Sequence, residues 1–323
     1  MFKSILLAIA PLSLLACSAS AVQTTSAKFG ASQIYTFESD GAGFNTKTFF
    51  YDNGEEVVAF DTQFTPALAQ ASIDYLRTKT QNPITFAVIT HPNPDKFNGI
   101  EVFQAQGAKV IAARATAEAM NGVHEYKKYF FVNIAKMFSE ETYPKLGRVD
   151  QTFEKDHSIR LRNGSRVSLS ELSHAGVSGN QTVAYIADLN ALVVGDLVHE
   201  GAHAWLEGGI VDGKPSPNIA GWIADLKELE LKFGARNPLV LGGRGQAVKL
   251  NKAAPAHIDY LQKADEIVTA YVAALGNQKA ELGGEKAGSH HAELQRQMEG
   301  AFPQRTLGYL IQYGVYGLAN SKL

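Results

Sequence analysis

A chain of 323 residues with 30 basic and 32 acidic side chains has a formal charge of −2. It therefore has no basic excess for tracking a nucleic-acid backbone and no acidic run to hold it unfolded. Its 45% hydrophobic and 19% charged content is that of an ordinary globular protein, enough for one large domain or two modest ones.

The first residues, "MFKSILLAIAPLSLLACSAS", combine an early lysine, a short apolar run and small residues. The run is too short to span a bilayer and reads as a secretory signal. Cys17, the single cysteine, closes "LLAC", which resembles a bacterial lipobox. This predicts a signal peptide over 1–17, lipidation of Cys17 and a membrane-anchored protein facing the periplasm. Cleavage after Ala21 would instead give a soluble periplasmic protein. Residues 18–30 read as a polar tether, and no internal disulfide is available.

Two short strands, "SQIYTFES" and "KTFFYD", flank the turn "DGAGFN", and "EEVVAFDT" is a third strand ending at Asp61. Apolar spacing at Leu68, Ile73 and Leu76 predicts a helix. "ITFAVITH" is β-branched and apolar, as a buried strand is; "NGIEVFQAQG" reads as a helix and "AKVIAA" as a strand. Residues 124–146 are rich in aromatics and read as helical. A hairpin turning at "NG" follows, then strands "QTVAYIAD" and "ALVVGDLV", the amphipathic helix "GWIADLKELELKFG" and the strand-to-loop "NPLVLGGRGQ". Beyond Asn251 the pattern is helical. Two runs of strands, each followed by helices, predict an α/β fold: a four-layer αββα sandwich over 31–250, with a helical extension over 251–323 packed on the same domain.

Four loops at strand ends carry candidate chemistry: "THPNPDK", "LSHAGVSGN" with His174, "GDLVHEGAHAW" with Asp196, His199 and His203, and "LGGRGQ" with Arg244. The run Thr90–Gly99 reads T-H-x-N-x-D-K-x-x-G. It resembles the T-H-x-H-x-D-H-x-x-G of the metallo-β-lactamase superfamily. "VVGDLV" matches that family's strand ending in G-D, "VLGGRG" its last-histidine loop, and His174 suits its third histidine. Asp61 matches the strand end that supports the first histidine.

The resemblance implies two zinc ions, and the departures from it bear on whether they bind. At the first metal position the chain offers His91, Asn93 and His174. Two imidazoles suit zinc, but a neutral amide oxygen is a weak ligand. At the second it offers Asp95, Lys96, Asp196 and Arg244. Lysine and arginine are donors only and cannot coordinate a cation. Two close carboxylates without a metal need another source of positive charge. Lys96 and Arg244 can supply it, so the second position reads as a salt-bridge cluster. The first could hold one zinc through His91, His174 and Asp196; otherwise no cofactor is expected.

His203 is a further pocket candidate by resemblance to some branches of the family, while His199 reads as exposed. His124, His157, His257, His290 and His291 show no partner pattern and read as surface residues. The aromatic stripe Tyr126–Tyr143 reads as core packing rather than a substrate groove. Two functions compete. One is a non-classical or inactive hydrolase homologue that binds a small, anionic ligand through Asn93, Lys96, Asp196, His203 and Arg244. The other is an active hydrolase of an ester, lactone or amide using one metal or none, with His91 or His174 as base, Asp95 in the site and Lys96 with Arg244 facing the oxyanion.

Overall fold

A computed structural model describes residues 28–29 and 32–323. The expected signal peptide, Cys17 and most of the expected tether lie outside the described residues.

The first sheet runs in chain order through β1 (Lys28–Phe29), β2 (Ser32–Glu38), β3 (Lys47–Asp52), β4 (Val57–Phe60), β5 (Ile84–Ile89), β6 (Lys109–Ala113) and β7 (Gln151–Phe153). Strands β1 to β4 pair antiparallel; from β4 onward the pairing is parallel. Parallel neighbours need crossovers. These are α1 (Pro66–Arg77), the short helices α2 (Pro94–Phe97) and α3 (Ile100–Ala105), and α4 (Arg114–Tyr129).

The second sheet begins as the antiparallel meander β8 (Asp156–Arg160), β9 (Arg166–Glu171), β10 (Thr182–Ile186) and β11 (Ala191–Glu200). A small ribbon, β12 (Gly209–Val211) and β13 (Lys214–Ser216), leads into α5 (Ile219–Phe233). The chain then returns as β14 (Leu239–Gly245), parallel to β11, with β15 (Val248–Lys249) at the edge. Helices α6 (Leu250–Ala274), α7 (Ala287–Ala301) and α8 (Tyr309–Asn320) complete the chain.

Alternation along the strands builds the layers. On β3, Phe49 and Tyr51 enter the core between the sheets, where they join Val88, Ile111, Val167, Ala184 and Val193. Phe50 points the other way, to α1, α3 and α4 through Ile73, Leu76, Phe103 and Met120. Leu192 and Val194 of β11 face Trp222, Leu226, Tyr260, Leu294 and Val315 of α5 to α8. The expected αββα sandwich is observed, and the C-terminal helices pack against its second sheet.

Residues 124–146 depart from the predicted helix. Helix α4 ends at Tyr129, Phe130–Ile134 form one π-helical turn, and the rest is irregular. Three histidines expected at the surface are buried: His124, His257 and His291. Each lies on the inward face of its helix, among buried apolar residues, and a lone histidine gives no sign of which face it takes.

Candidate functional site

Four strand ends converge. After β5 the chain passes Thr90 and His91, and α2 starts at Pro94, whose fixed φ and missing N–H suit a first helical position. Asp95 and Lys96 follow on this one-turn helix. Asp61, past the end of β4, has φ 62°; its carboxylate accepts from Thr90 N at 2.9 Å and Thr90 Oγ1 at 3.0 Å. The Thr90 hydroxyl also lies 3.0 Å from His91 Nδ1, so Asp61 fixes the histidine through one intermediary. Asp196 comes from β11 and Arg244 from β14. The strands approach closely because Gly243 has no side chain: a Cβ there would stand 2.1 Å from Asp196 Oδ1.

The charged groups meet in one buried cluster. Lys96 Nζ lies 2.8 Å from Asp196 Oδ1 and 2.9 Å from Asp95 Oδ2. Arg244 Nη1 donates to Asp196 Oδ2 at 2.8 Å, and Nη2 to Asp95 Oδ2 at 3.0 Å and Thr46 Oγ1 at 2.8 Å. Its Nε donates to the Phe44 carbonyl at 2.7 Å, and Thr46 donates to Asp95 at 2.6 Å. Two carboxylates and two cations cancel, and all four side chains are almost fully buried.

Burial alone would raise both carboxyls. The cations outweigh it, holding Asp95 at about 2 and Asp196 well below the usual range. Burial likewise works to lower Lys96, but Asp196 and Asp95 raise it on balance, and the same carboxylates raise Arg244. Asp61 carries no such direct partner, and burial pushes it up to about 6 against the pull of Lys96 and His91.

This donor set does not fit two zinc ions. The second metal position would need Asp95 and Asp196 free, yet Lys96 and Arg244 occupy them and offer no lone pair. The first position would need His174 beside His91. Instead His174 N and Nδ1 both turn to Asp225 of α5, at 3.0 Å each. The loop carrying His174 is drawn there because Gly176 packs directly on Trp222. Among the described residues, the one group of three histidine, cysteine or acidic ligand atoms within 4.8 Å is His174, Asp225 and Glu228. We derive no step through a zinc centre.

Of the predicted residues, the fold brings together Asp95, Lys96, Asp196 and Arg244, with His91 Nε2 at 3.6 Å from Asp196 Oδ2. Asn93 sits on the wall of the adjoining cleft. His174 is a correction, as is His203, which does not line the cleft. His203 packs beneath α6, with Nδ1 3.3 Å from the Tyr260 hydroxyl, and burial lowers it to about 4. His199, expected to be exposed, is buried, with Nε2 3.4 Å from Asp196 Oδ1. Strand β11 runs on past Asp196 to Glu200 through register shifts, and this extension turns His199 inward. Its place three residues after Asp196 in "GDLVH" was the available signal. Thr46 and Phe44 had none, because their roles come from a loop folding back onto Arg244.

The cleft beside the cluster is lined by the polar side chains Asn93, Asp95, Asp196, Arg244 and Lys127, the last with Nζ 4.8 Å from the centre of the Trp205 ring. Phe44, Phe64, Phe131 and Trp205 complete the lining. Their rings meet edge to face, Phe44–Phe64 at 5.2 Å and Phe64–Phe131 at 5.0 Å between centroids. Phe131 therefore belongs to the predicted packing stripe and also walls the cleft. The free volume is about 20 Å³, room for about one water. Lys127 is buried and paired with Glu207, which also accepts from Trp205 Nε1 at 2.8 Å.

A model of the metallo-β-lactamase superfamily matches residues 41–244, well over half of the chain. No curated protein matches it. Among solved structures, a metallo-β-lactamase from Pontibacter korlensis superposes with a TM-score of 0.55 at 19% identity, over 74% of this chain and 99% of that one. The metallo-β-lactamase FIM-1 from Pseudomonas aeruginosa, in its mono-zinc form, gives 0.52 at 15% identity, over 75% and 96%. At such identities the likeness shows the fold alone, and the family assignment rests on the sequence match together with the sandwich. The chain belongs to the metallo-β-lactamase superfamily.

Proposed function

We propose that this protein is a superfamily member in which an ion-pair cluster replaces the dinuclear zinc centre, and that it works by binding a small molecule rather than by zinc-dependent hydrolysis. One observation carries the reading: Lys96 and Arg244 together contact both oxygens of Asp196 and one of Asp95. A buried pair of cations can replace the electrostatic role of a divalent ion but not its Lewis acidity.

The cluster also bears on the ligand. Its cations are already engaged, so an anion gains little there unless it displaces a carboxylate. The adjoining cleft has room for about one water, so a small ligand enters only if a wall side chain such as Phe44 moves aside. Hydrolysis of an ester, lactone or amide would need Lys96 or Arg244 free to face an oxyanion, and both are bound to carboxylates. Export and a lipid anchor on Cys17 complete the proposal. Cys17→Ser should move the protein from the membrane pellet to the soluble fraction.

The test of the central claim is elemental analysis and zinc titration of untagged protein. Zinc should stay well below two per chain. Two equivalents bound at stoichiometric affinity, still present in His174→Ala, would overturn it.

A further inference from the structure

His174 meets two acids of α5 away from the cleft. Its Nδ1 lies 3.0 Å from Asp225 Oδ1 and 3.9 Å from Glu228 Oε2. One ligand atom from each of the three side chains lies within 4.8 Å of the other two. Asp225 and Glu228 are three apart in the helix, so both carboxylates share a face. We infer that His174, Asp225 and Glu228 bind one divalent transition-metal ion of the zinc type, with water completing its coordination.

The geometry suits an ion of that size. Zinc stands about 2.0–2.2 Å from imidazole nitrogen and carboxylate oxygen, so ligand pairs separated by bond angles of about 90–140° lie about 3.0–3.9 Å apart. Two of the three separations, 3.0 and 3.9 Å, fall in that range, and the third, between Asp225 and Glu228, is within 4.8 Å. One imidazole with two carboxylates suits zinc, cobalt or manganese better than a soft ion such as copper(I).

A second observation comes from Asp225. Its side chain is 1% exposed, and its Oδ2 is buried with no hydrogen-bond donor. Its other oxygen takes both contacts from His174. A buried carboxylate oxygen left without a donor is costly, and a cation on this carboxylate offsets that cost. Lys232 takes Glu228 Oε1 at 2.7 Å and the Ser173 amide holds Oε2 at 3.0 Å, so the ion would share Oε2, the oxygen 3.9 Å from His174 Nδ1. The His174 side chain is 46% exposed, so the ion enters directly from solvent.

The probe is Co²⁺, titrated into purified full-length protein and followed by visible absorption and calorimetry. One equivalent should bind with the spectrum of a nitrogen–oxygen site. His174→Ala and Glu228→Gln should each weaken binding beyond the about 10–100-fold lost when only a supporting residue is removed. His174→Ala removes the ring donor to Asp225 Oδ1 and keeps the backbone one, so the ion-free protein should still fold cooperatively with a modest drop in melting temperature. Absence of saturable binding, or binding undiminished in His174→Ala, overturns the inference. An ion held in the cleft would survive His174→Ala, so this result is separable from the zinc count that tests the cluster.

Discussion

Arg244 is the residue on which the cluster turns. It binds Asp196, Asp95, Thr46 and the Phe44 carbonyl, joining β14 to three other segments. Arg244→Met should leave Asp95 and Asp196 with Lys96 as their one remaining direct cation. Breaking a buried pair from one side costs about 3–5 kcal/mol. Asp196→Asn should be comparably harmful, while the double variant should cost clearly less than the sum, because each change relieves the charge the other leaves. A thermal or urea double-mutant cycle reads this directly, and additive losses would mean the ion pairs carry no coupling. Much of this cluster was legible in "HPNPDK" and "LGGRG", since two cations at ligand positions can only pair with the acids. What was not legible was Thr46, whose hydroxyl bridges Arg244 and Asp95 and whose sequence context is unremarkable.

At the scale of elements, the strand ends were readable and the loops were not. Periodicity and β-branched runs located the principal strands, because burial on one or both faces leaves a pattern in the sequence. His174 was misplaced because its loop follows Gly176 onto Trp222, a tertiary contact with no local signal. The loop between β2 and β3 matters most to the cleft. It turns through Phe44 and Asn45 at φ 59° and 52°, which drops the Phe44 ring among Phe64, Phe131 and Trp205. Tyr309 of α8 holds the loop by donating to Asn45 Oδ1 at 2.7 Å, so the C-terminal helices also shape the cleft wall. Phe44→Ala should cost about 3–5 kcal/mol, as for other buried phenylalanines, and should open the cleft. A urea midpoint unchanged from wild type, with no gain in binding of an apolar dye, would show that this ring is not a structural wall.

For the whole molecule, pH is the informative variable. Burial lowers His203 and His291 to about 4, with Arg305 and His290 adding to the effect respectively. It also lowers His199 and His257. A group whose folded pKa is depressed stabilises the fold above its unfolded pKa, about 6.5 for histidine, and loses that contribution as pH falls through the folded value. Asp61 and Asp225, both near 6, work the other way: their folded state gains from protonation, and that gain fades as pH rises through 6. Four histidines against two carboxyls predict a net loss between pH 6.5 and 4. A second loss should follow toward pH 2 as Asp95 and Asp196 take up protons. Thermal melts across pH 2–8 test this, and a melting temperature that rises on going from pH 6.5 to 4 would contradict it. A metalloenzyme depends on supply: its centre must be loaded after synthesis and can be stripped by a chelator. Here the positive charges are encoded in the chain and arrive with translation, so there is no empty form of the cluster. Prolonged EDTA treatment should leave the cluster and its share of thermal stability intact, whatever the metal status of the growth medium.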